Sequence, residues 1–123
     1  MKYLLLIYSN PNARQIWDAM SDAQRGEGLQ AYAALNEDLA ATGELIVAEA
    51  LADTSLATQV TVQDGQTMTS DGPYAEVKEL LAGFYMVECD SVERAIEIAA
   101  RVPEAEIGRV EVRPILTYDG LEM

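Results

Sequence analysis

The sequence predicts a mixed α+β domain in which a strand–helix–strand unit, a β-hairpin and a second strand–helix–strand unit follow one another. Three observations predict it. Two short segments, Lys2–Tyr8 and Gly83–Cys89, are far more apolar than their surroundings. Two stretches carry apolar residues at helical spacing behind serine caps. An Asp64-Gly65 pair separates two alternating runs. The 123 residues match the usual size of one domain, about 100–150 residues, and the composition shifts nowhere, so 1–123 reads as one unit. With 50% hydrophobic and 24% charged residues, a disordered or low-complexity chain is excluded.

Residues 2–8 (KYLLLIY) are short, leucine-rich and aromatic, and end at the turn cluster Ser9-Asn10-Pro11-Asn12, which predicts a strand. Residues 9–21 are expected to be irregular; Ile16 and the single tryptophan, Trp17, sit there as a lid or as packing over a strand edge. Ser21 then caps a helix that closes at Gly43, with Tyr32, Leu35 and Leu39 as its inward stripe. Leu45–Ala48 is a second strand. Thr58–Gln63 and Gln66–Thr69 form a hairpin, because Asp-Gly accepts the positive φ that a tight turn demands. Asp71-Gly72-Pro73 makes the next turn. After the Gly83–Cys89 strand, Ser91 caps a helix through about Val102, with Val92, Ala95, Ile96 and Ala99 inward and Pro103 as its stop. Arg109–Arg113 alternates and forms the last strand.

Without the hairpin this order is βαββαβ, the ferredoxin-like arrangement, whose first and third strands lie at the sheet centre. Those are the two most apolar strands. Alternation places Tyr3, Leu5 and Ile7 on one face and Leu4, Leu6 and Tyr8 on the other; Phe84 and Met86 likewise oppose Tyr85, Val87 and Cys89. Two helices cover one face only. The other would leave on the order of 10 kcal/mol of burial unused, comparable to the whole stability of a domain. A second copy offering the same face is the expected cover, giving a homodimeric α+β barrel with room for a small molecule between its sheets.

Charge narrows the partners. Eight Lys and Arg against 21 Asp and Glu give −13 and a pI near 4.1, a field that repels nucleic-acid backbones and anionic membranes. One cysteine forms no internal bridge, which points to a cytoplasmic setting, and no apolar run reaches the ~18 residues of a membrane span. Neither do residues 3–8 have a signal-peptide layout. With no histidine, zinc sites and Ser-His or Cys-His nucleophiles are excluded, and no metal or organic cofactor is implied. Cys89, at the end of a buried strand beside acids, reads as a core residue with a raised pKa.

The stretch Asp71-Gly72-Pro73-Tyr74-Ala75-Glu76-Val77-Lys78-Glu79 resembles the DGPFAETKE signature of the YCII-related superfamily, DGPF branch. Ala57-Thr58, Gly83-Phe84-Tyr85, the helix ending at Pro103 and Glu111-Val112-Arg113-Pro114 extend the resemblance over nearly the whole chain. Tyr74 replaces the usual phenylalanine and Val77 the threonine. The resemblance implies a ferredoxin-like fold and a dimeric α+β barrel. It also implies two functional settings, small enzymes with a His–Asp pair and modules associated with extracytoplasmic-function sigma factors. The absence of histidine removes that pair from this chain.

Carboxylates, arginines, tyrosines and Lys78 remain as candidates. Asp71 reads either as a turn former bonding nearby N–H groups or as a general base, with Glu76 a second acid. Lys78, one of two lysines, is a candidate for an interface ion pair or a ligand contact. Arg109, Glu111 and Arg113 share one face of the last strand. There they form either a solvated row or an anion clamp in which Glu111 orients Arg113. Tyr3, Tyr8 and Tyr85 either supply phenolic contacts there or pack as core aromatics, and Tyr8 and Tyr74 are candidates for ligand contact. Two functions follow. One is a dimer binding a small, anionic or aromatic molecule, with lyase-like or proton-transfer chemistry by Asp71 and Arg113. The other is a non-catalytic regulatory module whose acidic surface meets a basic partner.

Overall fold

The computed structural model describes residues 1–72 and 79–117, except for the Arg14 side chain. Its strands are β1 (Lys2–Ser9), β2 (Leu45–Ala50), β3 (Thr58–Gln63), β4 (Gln66–Asp71), β5 (Leu80–Glu88) and β6 (Arg109–Pro114). Its helices are α1 (Pro11–Ala19), α2 (Asp22–Thr42), α3 (Val92–Ala100) and the single turn α4 (Glu104–Ile107), with a short 3-10 turn at Thr54–Leu56. Among the described residues no helix is long and apolar enough to cross a membrane.

Residues 11–19 are helical rather than irregular. Asn10 accepts a 2.7 Å bond from the Ala13 N–H, and Pro11 takes the first helical position, where its missing N–H costs nothing. The Ser-Asn-Pro cluster that reads as a turn is thus also a helix start. Trp17 therefore projects from a helix rather than from a loop. In α2, Ser21 and Gln24 exchange side-chain bonds with each other's backbone N–H groups, and Gly43 closes the helix at φ 78°. Asp64 (φ 53°) and Gly65 (φ 77°) make the β3–β4 turn as expected.

Strand order in the four-stranded antiparallel sheet is β2-β5-β1-β6, so β1 and β5 are central, as in a ferredoxin-like fold. The β3–β4 hairpin is a separate two-stranded sheet. Tyr3, Leu5, Ile7, Tyr85, Val87 and Cys89 are buried against Leu35, Leu39, Ala95, Ile98 and Val102. On α3 the buried stripe is Ala95, Ile98 and Ala99, continued by Val102, whereas Val92 and Ile96 are exposed. The spacing 95-98-99-102 turns this face inward, and Ile96 lies a full 100° off it. Pro103 ends α3 and also opens α4.

Two contacts tie the layers together. A Cβ at Gly108, between α4 and β6, would lie 2.4 Å from the Tyr8 backbone oxygen, which cannot yield as a flexible side chain would. Gly108→Ala is expected to cost about 1–3 kcal/mol in thermal unfolding. Gly26→Ala, where a Cβ meets nothing within 4 Å, is expected to stabilise α2 by up to about 1 kcal/mol.

Arg94 of α3 donates to both Glu44 oxygens, from Nε at 2.9 Å and Nη2 at 2.8 Å, at the entrance of β2. This bond is the main cause holding the Glu44 carboxyl below its ordinary pKa. The pair's stabilisation is therefore complete above the unfolded carboxylate pKa of about 4.3 and fades as pH falls through the lower folded value. Glu44→Gln is expected to lower the melting temperature at neutral pH and to narrow its difference from the native chain in acid.

Candidate functional site

The sheet face away from the helices carries the sequence's candidate row. Leu4 pairs with Met86 and Arg113, Leu6 with Phe84 and Glu111, and Tyr8 with Leu81 and Arg109. Val110 and Val112 pack on the helical core, so alternation turns Arg109, Glu111 and Arg113 onto the open face. Arg109 donates to Glu79 at 2.6 Å and to Glu111 at 3.3 Å, and its guanidinium lies 4.2 Å from the Tyr8 ring centre. Arg113 contacts the other Glu111 oxygen through Nη2. The Arg109 bond, followed by the charge of Arg113, lowers the Glu111 pKa, while Glu79 above all raises that of Arg109. Glu111 stays ionised between two cations. It fixes both.

A cavity of about 680 Å³ opens on the helical side, between α1, α2 and α4. Trp17 and Tyr32 wall it with Ala13, Val102 and Ile107, and Glu104 stands among them. The Tyr32 hydroxyl donates to Glu104, and its ring stacks on Tyr85 at 6.5 Å and 15°. Tyr85 in turn donates to the Asn36 side-chain amide oxygen (Oδ1), and burial pushes the Tyr85 phenol up. Burial also raises the Glu104 pKa. Cys89 is buried, and desolvation raises its thiol pKa. Among the described residues no group of three or more His, Cys, Asp or Glu is placed to hold a metal ion.

The sequence model of the YCII-related domain matches residues 1–119. The chain belongs to the YCII-related domain family. It is also similar to an uncharacterized protein of Rhizobium meliloti (strain 1021), 31% identical over 120 residues, covering 96% of this chain and 94% of that protein.

In this YCII-related domain the predicted site residues divide into four groups. Tyr8, Glu111 and Arg113 come together on the open face. Asp71 ends β4 on the exposed hairpin, opposite Thr58, and no hydrogen bond or ion pair among the described residues joins it to that row. Tyr74, Glu76 and Lys78 lie outside the described residues. Tyr3 and Tyr85 belong to the helical core rather than to the open face. Of the cavity residues, Trp17 is expected from the sequence as a lid or as packing over a strand edge in a loop, whereas it stands on a helix and walls the cavity. Glu104 is not among the sequence's candidates, because Pro103 reads there only as a stop. The signal for Glu104 was an acid directly after Pro103, at a helix start that the proline itself could open.

Proposed function

We propose that this YCII-related protein belongs to the DGPF branch and works as a homodimer that holds a small organic molecule between two facing sheets. The carrying observation is the open face itself, where Leu4, Leu6, Phe84 and Met86 form an apolar centre next to the Arg109–Glu111–Arg113 row. Neighbouring side chains already half-bury that centre, so covering it is worth less than full burial of each residue, yet still several kcal/mol. The centre fits the body of an aromatic molecule. Arg113, held by Glu111 at one nitrogen, has N–H groups left for a carboxylate or phenolate.

Two protomers at −13 each repel, and salt screens exposed charges beyond roughly 8 Å. The dimer is therefore expected to tighten as salt is raised, which sedimentation at low and high salt reads directly; a salt-independent monomer overturns the reading. For the ligand, a melting-temperature panel of aromatic carboxylates is the test, because a ligand of the native state raises the midpoint. Arg113→Leu is expected to remove the shift that a responsive carboxylate gives. An unchanged shift takes Arg113 out of the site.

A specific observation favours a second reading, a regulatory module. Val60, Val62 and Met68 on the hairpin are 51–69% exposed, and Leu56 beside it is 76% exposed. An isolated two-stranded hairpin is marginal in water, so this arm suits a protein surface. A flat response across the whole panel, together with stoichiometric capture of a basic regulator such as a sigma factor, would favour it over ligand binding.

A further inference from the structure

We propose that the helical-side cavity binds a small primary amine with an aromatic body, its ammonium on Glu104. The space, about 680 Å³, lies within the range of small-molecule sites, roughly 300–1,000 Å³. Its walls supply apolar contact from Ala13, Trp17, Val102 and Ile107. At Glu104 the requirement changes from apolar to ionic. This carboxyl accepts the Tyr32 hydroxyl, but among the described residues no cation pairs with it.

Among the described side chains, the two arginines closest to the cavity, Arg101 and Arg25, are engaged elsewhere. Arg101, at the rim, bonds Asp38 at 2.7 Å, and Arg25 folds back onto the Trp17 and Asp18 carbonyls at 3.1 and 2.7 Å. A partly buried carboxylate without a counter-ion bears a desolvation cost, which is the direction its raised pKa reports. An ammonium group would relieve that cost, and its charge would also be attracted by the Trp17 and Tyr32 rings. Glu27 and Glu106 line the same cavity and, with the −13 net charge, draw in a cation and repel a carboxylate. The cavity and the open sheet face lie on opposite sides of one chain, so this site stands whether or not the dimer does.

Trp17 is the only tryptophan, so its emission reports on the cavity wall directly. The probes are phenethylamine, the neutral phenethyl alcohol and the anionic phenylacetate. The amine is expected to change Trp17 emission saturably and to raise the melting temperature, with the alcohol and the acid at least about tenfold weaker. Glu104→Gln removes the charge while keeping the shape, and is expected to weaken the amine about tenfold or more while the chain stays folded by circular dichroism. The proposal is overturned by a linear, unsaturable response to millimolar amine, by equal binding of the alcohol, or by a Glu104→Gln variant that binds the amine undiminished. Repeating the titration with Phe84→Asp, which alters only the opposite face, is expected to give the same affinity.

Discussion

Phe84→Asp is expected to turn the protein into a folded monomer. Phe84 sits at the middle of β5, paired with Leu6 of β1 and Glu49 of β2, on the face without helices. Its neighbours Tyr85 and Val87 point into the helical core, so the substitution leaves that core untouched. In a face-to-face dimer the new carboxylate would be enclosed between the two sheets, opposite the like charge of Glu49 and without a cation to pair with. An unpaired buried charge of this kind costs several kcal/mol, and two-fold symmetry imposes it twice. The dissociation constant should rise by at least about a hundredfold, about 2.7 kcal/mol, read by light scattering across a dilution series. Far-UV circular dichroism should be unchanged. Phe84→Leu, which keeps the face apolar, should remain dimeric. If both variants and the native chain scatter as monomers, the inter-sheet compartment does not exist.

Much of this architecture was legible because local chemistry and global pattern agree. β1 and β5 are apolar on both faces, and that marks them as the central strands of the observed order. Asp64-Gly65 and the Ser21–Gly43 helix rest on residues whose backbone preferences are strong, and both occur where expected. Misreadings arose where one residue type serves two purposes. Asn10-Pro11 makes a turn or begins a helix with the same chemistry, and only the docking of residues 11–19 decides between them. The α3 stripe was misphased because Val92 and Ile96 are as apolar as Ile98, although α3 buries only one of its sides. Of the candidate site, the open-face row could be read because strand alternation is strict. The cavity could not. It arises from three helices whose mutual packing no local spacing encodes.

Leu39→Ala is expected to have one of the two largest effects on stability of any single truncation in α2, whose buried residues are Leu35 and Leu39. Leu39 has no exposed surface and packs in the core shared by Tyr85, Val87 and Ile98, in the last turn before the left-handed close at Gly43. Removing its side chain loses burial and leaves a void that both the sheet and α3 would have to move to fill. Such truncations cost about 2–5 kcal/mol, and close packing limits how far the surroundings relax. For a domain of this size that is a fall in melting temperature on the order of 10 °C. Leu29, on the same helix but 62% exposed, supplies the contrast, and Leu29→Ala should change stability by no more than about 0.5 kcal/mol. The difference tests the helix phase directly. If the two variants melted alike, the stripe through Tyr32, Leu35 and Leu39 would not be the buried one, and Tyr32 would no longer be held against Tyr85 and Glu104. The cost should also be insensitive to protein concentration when measured in the Phe84→Asp background, because Leu39 faces its own chain and not the second copy.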